Sequence, residues 1–273
     1  MKYPENFINK IICGDCLEVM KDIPDKSIDL VVTDPPYNVK KDIWDNIGDL
    51  SKFINWGKMW ITECHRVLKQ NGSFYMFGSV WYLPFLFVEA VKTGFRPRNQ
   101  ICWYYENAMT RFRNNFNMAF DPIAYFVKSN KFVFNYDEIR EPYRVAEERR
   151  KIGVLKNGKR WYPNPNGRLM KNVIKINALV SQYMGKERIL IDGETAHPTQ
   201  KPEELIKVFI KASSNEENLI LDPFGGSGTT AVACKKTNRN YILIEISPEY
   251  CKIAEERLKK VPERLDNILR MKP

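Results

Sequence analysis

Residues 219–230 read LILDPFGGSGTT, and this stretch decides the fold class. Leu219–Leu221 is a fully apolar run typical of a buried strand, and Thr229–Lys236 follows it as a helix. Between them, the sequence Gly226-Ser227-Gly228 lets the backbone adopt positive φ and come close to a ligand. A strand, a glycine loop and a helix in this order hold a nucleoside cofactor at the carboxyl end of a sheet. The stretch therefore predicts a nucleoside-binding α/β fold.

An acidic residue at the end of the next predicted strand supports this interpretation. Glu245 closes the apolar strand Tyr241–Ile246, where a carboxylate can accept hydrogen bonds from both hydroxyls of a ribose. The loop is not a P-loop, because no Gly-Lys-Ser/Thr follows it. The dinucleotide pattern G-x-G-x-x-G also fails, since Ala231 takes the last glycine position. NAD remains an alternative cofactor.

A second polar motif, Asp34-Pro35-Pro36-Tyr37, follows the apolar strand Ile28–Thr33. The prolines fix φ and lack an N–H, so the backbone is stiff and its carbonyl groups are free to accept hydrogen bonds. The carboxylate can accept a hydrogen bond from an amine, and the tyrosine offers a flat face to a planar ring. This pocket suits an aromatic amine such as the exocyclic amino group of a nucleobase.

The rest of the pattern alternates strands with helices. This alternation favours an α/β fold with a largely parallel sheet. Asp15 and Ser247 are the predicted N-caps of two helices, and Asn71-Gly72 is a predicted C-cap. The other predicted strands are Ile11–Cys13, Ser73–Phe77, Gln100–Tyr105, Pro122–Val127 and Phe132–Phe134, and the other predicted helices are Leu17–Ile23, Ser51–Gln70, Trp81–Lys92, Pro202–Ser213 and Pro248–Lys260.

Positive charge is concentrated in one segment. The formal net charge is +10, and Arg140–Arg188 holds thirteen Lys or Arg against four Asp or Glu, so the rest is almost neutral. A localised surplus favours a surface for a polyanion over a diffuse solubility effect, although a solvated insertion is the alternative. We expect residues 136–189 to form a basic insertion between two flanking parts of one domain, residues 1–135 and 190–273. The candidate residues for binding the polyanion are Arg149, Arg150, Lys151, Lys156, Lys159, Arg160 and Arg168.

Several functional classes are disfavoured by composition. No run of eighteen apolar residues predicts a membrane span, and the first residues lack the apolar core of a signal peptide, so we expect a cytoplasmic protein. Several of the six cysteines sit in apolar runs, which fits a reducing compartment. Cys13 and Cys16 form a C-x-x-C pair, but no second pair follows, and only His65 and His197 are present. We therefore expect no metal site.

Four stretches together resemble the amino-methyltransferases that act on DNA. Asp34-Pro35-Pro36-Tyr37 matches the D/N/S-P-P-Y/F/W catalytic motif of that family, and residues 224–228 match its F-x-G-x-G cofactor loop. Residues 197–202, HPTQKP, resemble the segment upstream of the cofactor loop, and Gly14-Asp15-Cys16 resembles the turn that approaches the cofactor adenine. The catalytic motif comes first, which is similar to the permuted beta class of restriction-modification enzymes. The resemblance covers roughly residues 8–135 and 190–260. It implies that residues 1–135 and 190–273 form the catalytic and cofactor-binding domain, and that 136–189 is a basic target-recognition insertion that binds DNA.

The resemblance implies a Rossmann-like S-adenosylmethionine-dependent methyltransferase fold. Its mostly parallel seven-stranded sheet would carry helices on both faces, with the motifs in circularly permuted order. S-adenosylmethionine is the implied cofactor: Glu245 would hold its ribose, Asp15 would approach its adenine, and Thr199 and Lys201 would close over its methionine end. The full set of implied cofactor-binding residues is Asp15, Cys16, Asp34, Thr199, Lys201, Asp222, Phe224, Gly225, Gly226, Ser227, Gly228, Thr229 and Glu245.

The implied activity is methyl transfer to the N6 of adenine in duplex DNA at a specific site. The target base would leave the duplex, because its amine is otherwise engaged in pairing. Tyr37 would stack on it, while Asp34 and the Pro35 carbonyl would accept the two amine hydrogens. The catalytic residues are then Asp34, Pro35, Pro36 and Tyr37, and Asp34 would stabilise the positive charge that grows on nitrogen.

Alternatives remain open from the residues alone. The amine could be N4 of cytosine, although within the family an aspartate at the first motif position is typical of adenine and a serine of cytosine. RNA or protein methylation and an inactive DNA-binding module are further alternatives. The implied partner is double-stranded DNA, with a companion restriction endonuclease acting on the same site. The sequence leaves the oligomeric state open between monomer and homodimer.

Overall fold

A central sheet organises the computed structural model, which describes residues 2–39, 45–107, 113–143, 151–179, 190–191, 194–195 and 200–262. The strands are β1 (Lys10–Cys13), β2 (Ile28–Thr33), β3 (Leu68–Phe77), β4 (Arg96–Tyr104), β5 (Phe120–Val127), β6 (Val154–Lys156), β7 (Lys159–Trp161), β8 (Val173–Lys175), β9 (Leu190–Ile191), β10 (Glu194–Thr195), β11 (Leu219–Asp222) and β12 (Asn240–Glu245). The helices are α1 (Cys16–Met20), α2 (Leu50–Val67), α3 (Leu83–Thr93), α4 (Glu203–Ser213), α5 (Thr229–Lys236) and α6 (Pro248–Lys259).

The main sheet has the strand order β1-β12-β11-β2-β3-β5-β4-β8. The pairs from β1 through β3 are parallel, β5 runs antiparallel to both β3 and β4, and β8 is parallel to β4. The predicted mostly parallel α/β sheet is therefore confirmed. It has eight strands where seven were predicted, because Val173–Lys175 returns from the basic segment and pairs with β4.

Alternate residues of the central strands face two separate apolar clusters. Val31 packs into the cluster that also holds residues of α1, α2 and α3, whereas its neighbours Leu30 and Val32 pack with residues of α4 and α5. This period of two arises because successive side chains of a strand point to opposite faces. The predicted helices on both faces of the sheet are confirmed.

Two local predictions were wrong for identifiable reasons. Helix α2 ends at Val67, and Leu68 is already extended with ψ 136°, so Asn71-Gly72 lies inside a strand and caps no helix. Gly72 is needed there because a Cβ would lie 2.9 Å from the Asp29 carbonyl oxygen. Residues 132–134 form no strand: their backbone contact is a 3.4 Å hydrogen bond from the Val133 N–H to the Asn71 carbonyl.

The predicted N-caps are confirmed. Asp15 accepts a hydrogen bond from the Leu17 N–H at 2.7 Å, and Ser247 accepts one from the Tyr250 N–H at 3.4 Å. All six cysteines carry free thiols. No helix within the described ranges is long and apolar enough to cross a membrane.

Candidate active site

The carboxyl ends of four adjacent parallel strands meet at one edge of the sheet. β1, β12, β11 and β2 are neighbours in that order, so the loops that follow them lie side by side. They place four acidic residues around one cavity: Asp15, Glu245, Asp222 and Asp34. The edge beyond the carboxyl ends of parallel strands is where α/β proteins bind ligands. The two sequence motifs, far apart in the chain, therefore form one site.

Asp34 uses both of its carboxylate oxygens. The Tyr37 hydroxyl donates to Oδ1 at 2.6 Å, and the Lys201 Nζ donates to Oδ2 at 2.5 Å. Burial raises the pKa of Tyr37 well above its ordinary value, and the negative charge of Asp34 raises it further. The phenol therefore stays protonated and remains a hydrogen-bond donor. Asp34 is held in one orientation from two sides.

Lys201 lies among aromatic rings. Its Nζ is 5.3 Å from the centroid of Tyr37, 5.5 Å from that of Phe77 and 6.0 Å from that of Trp103. The Lys201 side chain is only 8% exposed, so the ammonium has exchanged most of its water for Asp34 and three ring faces. A planar base that entered between these rings would have to displace it.

Asp45 fixes the backbone that follows the catalytic motif. Its Oδ1 accepts hydrogen bonds from the N–H groups of Tyr37 and Asn38 at 2.6 and 2.8 Å, and its Oδ2 accepts from the Val39 N–H at 3.1 Å. Asn38 adopts positive φ, and its side chain bonds Gly48 and Ile47. Sequence reasoning missed Asp45, because nothing local distinguishes a buried loop acid from a solvated one.

The glycine loop has the predicted geometry. Gly226 and Gly228 have φ of +50° and +82°. Gly225 has a different role: its N–H donates to the Ile244 carbonyl at 2.8 Å, and a Cβ would lie 2.3 Å from Leu243 Cγ. The loop therefore lies directly against β12, and the absence of side chains leaves its outer surface open to a ligand.

Glu245 is oriented by the loop it faces. Its Oε2 accepts from the Gly226 N–H at 2.7 Å, and its Oε1 accepts from the Ser247 N–H at 2.8 Å. Burial raises the pKa of this carboxyl, while the backbone hydrogen bonds act in the opposite direction. Each oxygen keeps a further lone pair, so the carboxylate can accept additional donors from the cavity.

Asp222 is almost fully buried, and both of its carboxylate oxygens accept hydrogen bonds from the protein itself. It accepts hydrogen bonds from the Thr33 hydroxyl at 2.9 Å, the Phe224 N–H at 3.1 Å and the Thr230 hydroxyl at 2.6 Å. Burial raises the pKa of its carboxyl from 3.8 to about 7, and these hydrogen bonds oppose the rise only in part. Asp222 connects β2, β11 and α5 beneath the cavity.

The raised pKa of Asp222 predicts a pH-dependent stability. Because the folded pKa exceeds the unfolded one, the folded state binds the proton more tightly, and stability falls as pH rises from about 4 to about 7. The side chain of Asp222→Asn cannot ionise, so the variant should not lose stability in this way. Compared with the difference between the two proteins at pH 4, its free energy of unfolding should rise relative to wild type by up to about 4 kcal/mol at pH 8, since each pKa unit corresponds to about 1.4 kcal/mol. Urea unfolding of both proteins at several pH values measures the difference. A difference that does not change with pH would contradict the assignment.

Most of the predicted cofactor residues line this cavity. The structure brings together Asp15, Cys16, Asp34, Lys201, Asp222, Phe224, Gly225, Gly226, Ser227, Thr229 and Glu245, with Pro35, Pro36 and Tyr37 beside them. Gly228 does not line the cavity; it precedes α5 and packs against Ala254, where a Cβ would lie 2.6 Å from that residue's Cβ. Thr199 lies outside the described residues. Burial raises the pKa of the Cys16 thiol to about 12, so it stays protonated.

Three cavity-lining rings were missed by sequence reasoning: Phe77 at the end of β3, and two on helices. Trp56 and Tyr250 lie on helices α2 and α6 and reach the cavity. Trp56 packs against Phe224 with ring centroids 5.5 Å apart. On a helix, an aromatic residue with apolar neighbours is typical of a core position, so no local signal marks these two as cavity residues.

None of the predicted DNA-binding residues that the structure describes is part of this cavity lining. Lys156, Lys159 and Arg160 belong to β6 and β7, and Lys151 precedes them. Arg168 forms an ion pair with Glu141 at 2.8 Å, so its proposed contact with phosphate stays a prediction. Arg149 and Arg150 lie outside the described residues.

Comparison with known proteins gives concordant matches. The model of the DNA methylase family matches residues 28–256 of the chain. The type II methyltransferase M1.MboII of Moraxella bovis is 38% identical over 249 residues, which cover 89% of this chain and 94% of that protein. The DNA adenine methyltransferase YhdJ of Escherichia coli (strain K12) is 37% identical over 262 residues, covering 93% of this chain and 85% of that protein.

Solved structures show the same architecture. The crystal structure of the M1.HpyAVI–SAM complex superposes with a TM-score of 0.61 at 26% identity, covering 91% of this chain and 98% of that one. The PvuII DNA methyltransferase (cytosine-N4-specific) superposes with a TM-score of 0.70 at 20% identity, covering 95% and 89%, and this likeness concerns the fold alone.

Proposed function

Because this chain belongs to the DNA methylase family that the N6 and N4 amino-methyltransferases form, we propose that it methylates the N6 of adenine in duplex DNA at a specific sequence. As a member of this family, the chain is a DNA methyltransferase of restriction-modification type that uses S-adenosylmethionine. One observation supports methyl transfer to an aromatic amine above all. Asp34, the acceptor for an amine, shares a single cavity with the glycine loop and Glu245.

The residues of the cavity fit the cofactor. The loop at Gly225 and Gly226 presents bare backbone, Glu245 offers spare acceptor positions for ribose hydroxyls, and Trp56 and Phe224 give flat apolar walls. We propose that these residues, with Asp15 at the adenine end, hold S-adenosylmethionine. When bound, the cofactor supplies an electrophilic methyl group.

Asp34 orients the target amine and compensates its charge. With Tyr37 holding Oδ1, the remaining lone pairs of the carboxylate and the Pro35 carbonyl can accept the two amine hydrogens. The nitrogen lone pair is then held away from the ring plane. Positive charge grows on nitrogen as the methyl group is transferred, and the nearby carboxylate stabilises it in a cavity of low polarity. The methylated nitrogen then gives one proton to the Asp34 carboxylate, which releases it to water, and S-adenosylhomocysteine is the second product.

Lys201 has to leave Asp34 before this can happen. An ammonium at 2.5 Å from Oδ2 neutralises the carboxylate and occupies the position of an amine donor. We propose that Lys201 turns from Asp34 to the methionine end of the cofactor, as its place in the HPTQKP segment implies. The same movement would free Oδ2 and the space between the rings for the base.

Lys201→Met tests this role through binding alone. The variant should bind S-adenosylhomocysteine about 10- to 100-fold more weakly, because a hydrogen bond to a charged group contributes about 1.5–3 kcal/mol. Binding of methylthioadenosine, which lacks the amino-acid part, should change less than about twofold. Titration calorimetry measures both constants, with the surface variant Lys207→Met as the matched control. Equal losses for both ligands would show that Lys201 does not serve the methionine end.

Analysis of the methylated product identifies the target base. Duplex DNA incubated with the protein and S-adenosylmethionine, then digested to nucleosides, should contain N6-methyl-2′-deoxyadenosine by mass spectrometry. The aspartate at the first position of the catalytic motif favours adenine. Detection of N4-methyl-2′-deoxycytidine instead would mean that cytosine is the target base, and the absence of both would refute DNA methylation by this chain.

The biological setting follows from the chemistry and from the relatives. We propose that residues 136–189 recognise the target while the rest of the chain performs catalysis, that the protein acts in the cytoplasm, and that it protects DNA from a companion endonuclease of the same specificity. We also propose a homodimer. Sedimentation at micromolar concentration tests the dimer, and resistance of the methylated sequence to cleavage in host extract tests the endonuclease.

A further inference from the structure

The basic segment contains an isolated two-stranded ribbon. β6 and β7 pair with each other and with no other strand in the described parts of the chain. Asn157 and Gly158 connect them with φ of +51° and +74°, the narrow turn that matches the twist of a hairpin. All six strand residues are exposed. A lone hairpin is marginally stable in water, so packing onto a partner would be its main source of order.

The side chains of this ribbon are unlike those of a solvated hairpin. Val154, Leu155 and Trp161 are 65%, 67% and 61% exposed, so three large apolar side chains face water on a two-stranded element. Charged and polar residues would avoid the unfavourable exposure of apolar surface to water on such a ribbon. These exposed apolar residues indicate that the ribbon is buried when a partner binds.

The charges at the tip identify the kind of partner. Lys156 and Lys159 are directly opposite each other across the turn, and like charges in that position repel. Neither forms an ion pair with another residue in the described ranges. A bound anion would relieve this repulsion, and the surrounding segment has a surplus of nine positive charges. A duplex with its phosphates satisfies the charge, whereas a neutral protein surface does not.

The base of the segment is closed by one contact within it and tied to the body of the protein by another. Glu141 and Arg168 form an antiparallel bridge with reciprocal backbone hydrogen bonds of 2.9 and 2.8 Å in addition to their ion pair. Further along, the Ile176 carbonyl accepts from Trp103 Nε1 at 2.8 Å. Trp103 is one of the rings around Lys201, so the chain that returns from the ribbon is anchored at the wall of the active site.

We propose that the hairpin Val154–Trp161 enters the major groove of the target duplex, with the Lys156–Lys159 pair at its leading end. The inference rests on the proposed function, because it names how the DNA substrate is read. The major groove of B-DNA admits a two-stranded ribbon as it stands, whereas the minor groove has to be widened before a ribbon can enter. Lysine ammonium groups at the tip suit the O6 and N7 acceptors of guanine, and Val154 or Leu155 suits the methyl group of thymine. Arg160 donates to the Ile152 carbonyl, so its guanidinium braces the ribbon.

Dimethyl sulfate distinguishes the two grooves in one experiment, because it methylates guanine N7 in the major groove and adenine N3 in the minor groove. The duplex used would carry the sequence that the wild-type protein methylates, identified by sequencing the modified bases. With S-adenosylhomocysteine present, wild-type protein should protect guanine N7 within that sequence. The variant Lys156→Ala/Lys159→Ala should lose this protection and bind the duplex at least about tenfold more weakly.

A matched double variant controls for charge. Lys58→Ala/Lys252→Ala removes the same two charges from exposed positions on α2 and α6, and it should keep the N7 protection. A normal rise in melting temperature with S-adenosylhomocysteine shows that either variant is folded. N7 protection that persists in Lys156→Ala/Lys159→Ala, or wild-type protection confined to adenine N3, would overturn the proposal. Nucleoside analysis of the wild-type reaction tests methylation separately, so the failure of this inference is distinguishable from failure of the proposed function.

Discussion

Asp34→Ala should lower the rate of methyl transfer by about 10³-fold or more while leaving cofactor binding nearly unchanged. The Asp34 carboxylate accepts the hydrogen bond that orients the amine. It is also the negative charge nearest to the positive charge that develops on the nitrogen. Losing a preorganised electrostatic partner of this kind costs about 10²–10³-fold in rate, and losing the alignment of the amine adds to it. Single-turnover transfer of a radiolabelled methyl group measures the effect, and calorimetry with S-adenosylhomocysteine measures binding.

Tyr37→Phe is the matched control for this variant. It removes the hydroxyl that donates to Asp34 Oδ1 at 2.6 Å but keeps the ring that would stack on the base. The loss should be far smaller than for Asp34→Ala, because Asp34 keeps its charge. If Asp34→Ala turned over at the normal rate, Asp34 would not be the acceptor for the amine. If both variants were equally inactive, the phenol would have a direct catalytic role.

Gly225→Ala should abolish cofactor binding at ordinary concentrations, a loss of about 100-fold or more. The added Cβ would lie 2.3 Å from Cγ of Leu243, which is fully buried in β12 and cannot move aside. The loop must therefore shift outward into the volume needed by the ligand. Overpacking of this kind costs about 1–3 kcal/mol, and the displaced backbone also loses its contacts with the ligand. Calorimetric titration with S-adenosylhomocysteine gives the affinity.

A compensating substitution makes the steric cause testable. Leu243→Ala removes all three atoms that the new Cβ would meet, so Gly225→Ala/Leu243→Ala should recover most of the lost affinity. Leu243→Ala alone leaves a cavity and should lower the free energy of unfolding by about 2–5 kcal/mol. A double variant that binds no better than Gly225→Ala would show that the collision with Leu243 is not the cause.

Much of the site was predictable from the sequence, because its residues lie at the carboxyl ends of strands. Asp34 and Glu245 each follow an apolar run that could only be a buried strand, and parallel strands bring such ends to one edge. The glycine loop was predictable for a similar reason, since positive φ restricts the residue type. Errors occurred where tertiary pairing overrode a local signal. Gly72 looks like a helix cap, but it lies in β3 because only glycine allows the close approach to β2.

The amino-acid sequence by itself determined the chemistry of the site and the edge of the sheet at which it lies, because hydrophobic period, proline stiffness and glycine freedom are local properties. Only the tertiary structure decided how the polar groups use one another. The Lys201–Asp34 pair joins residues 167 positions apart, and the pKa of Asp222 depends on packing of three elements around it. Contacts and burial of this kind depend on how strands and helices pack in space, which no local pattern of residues specifies.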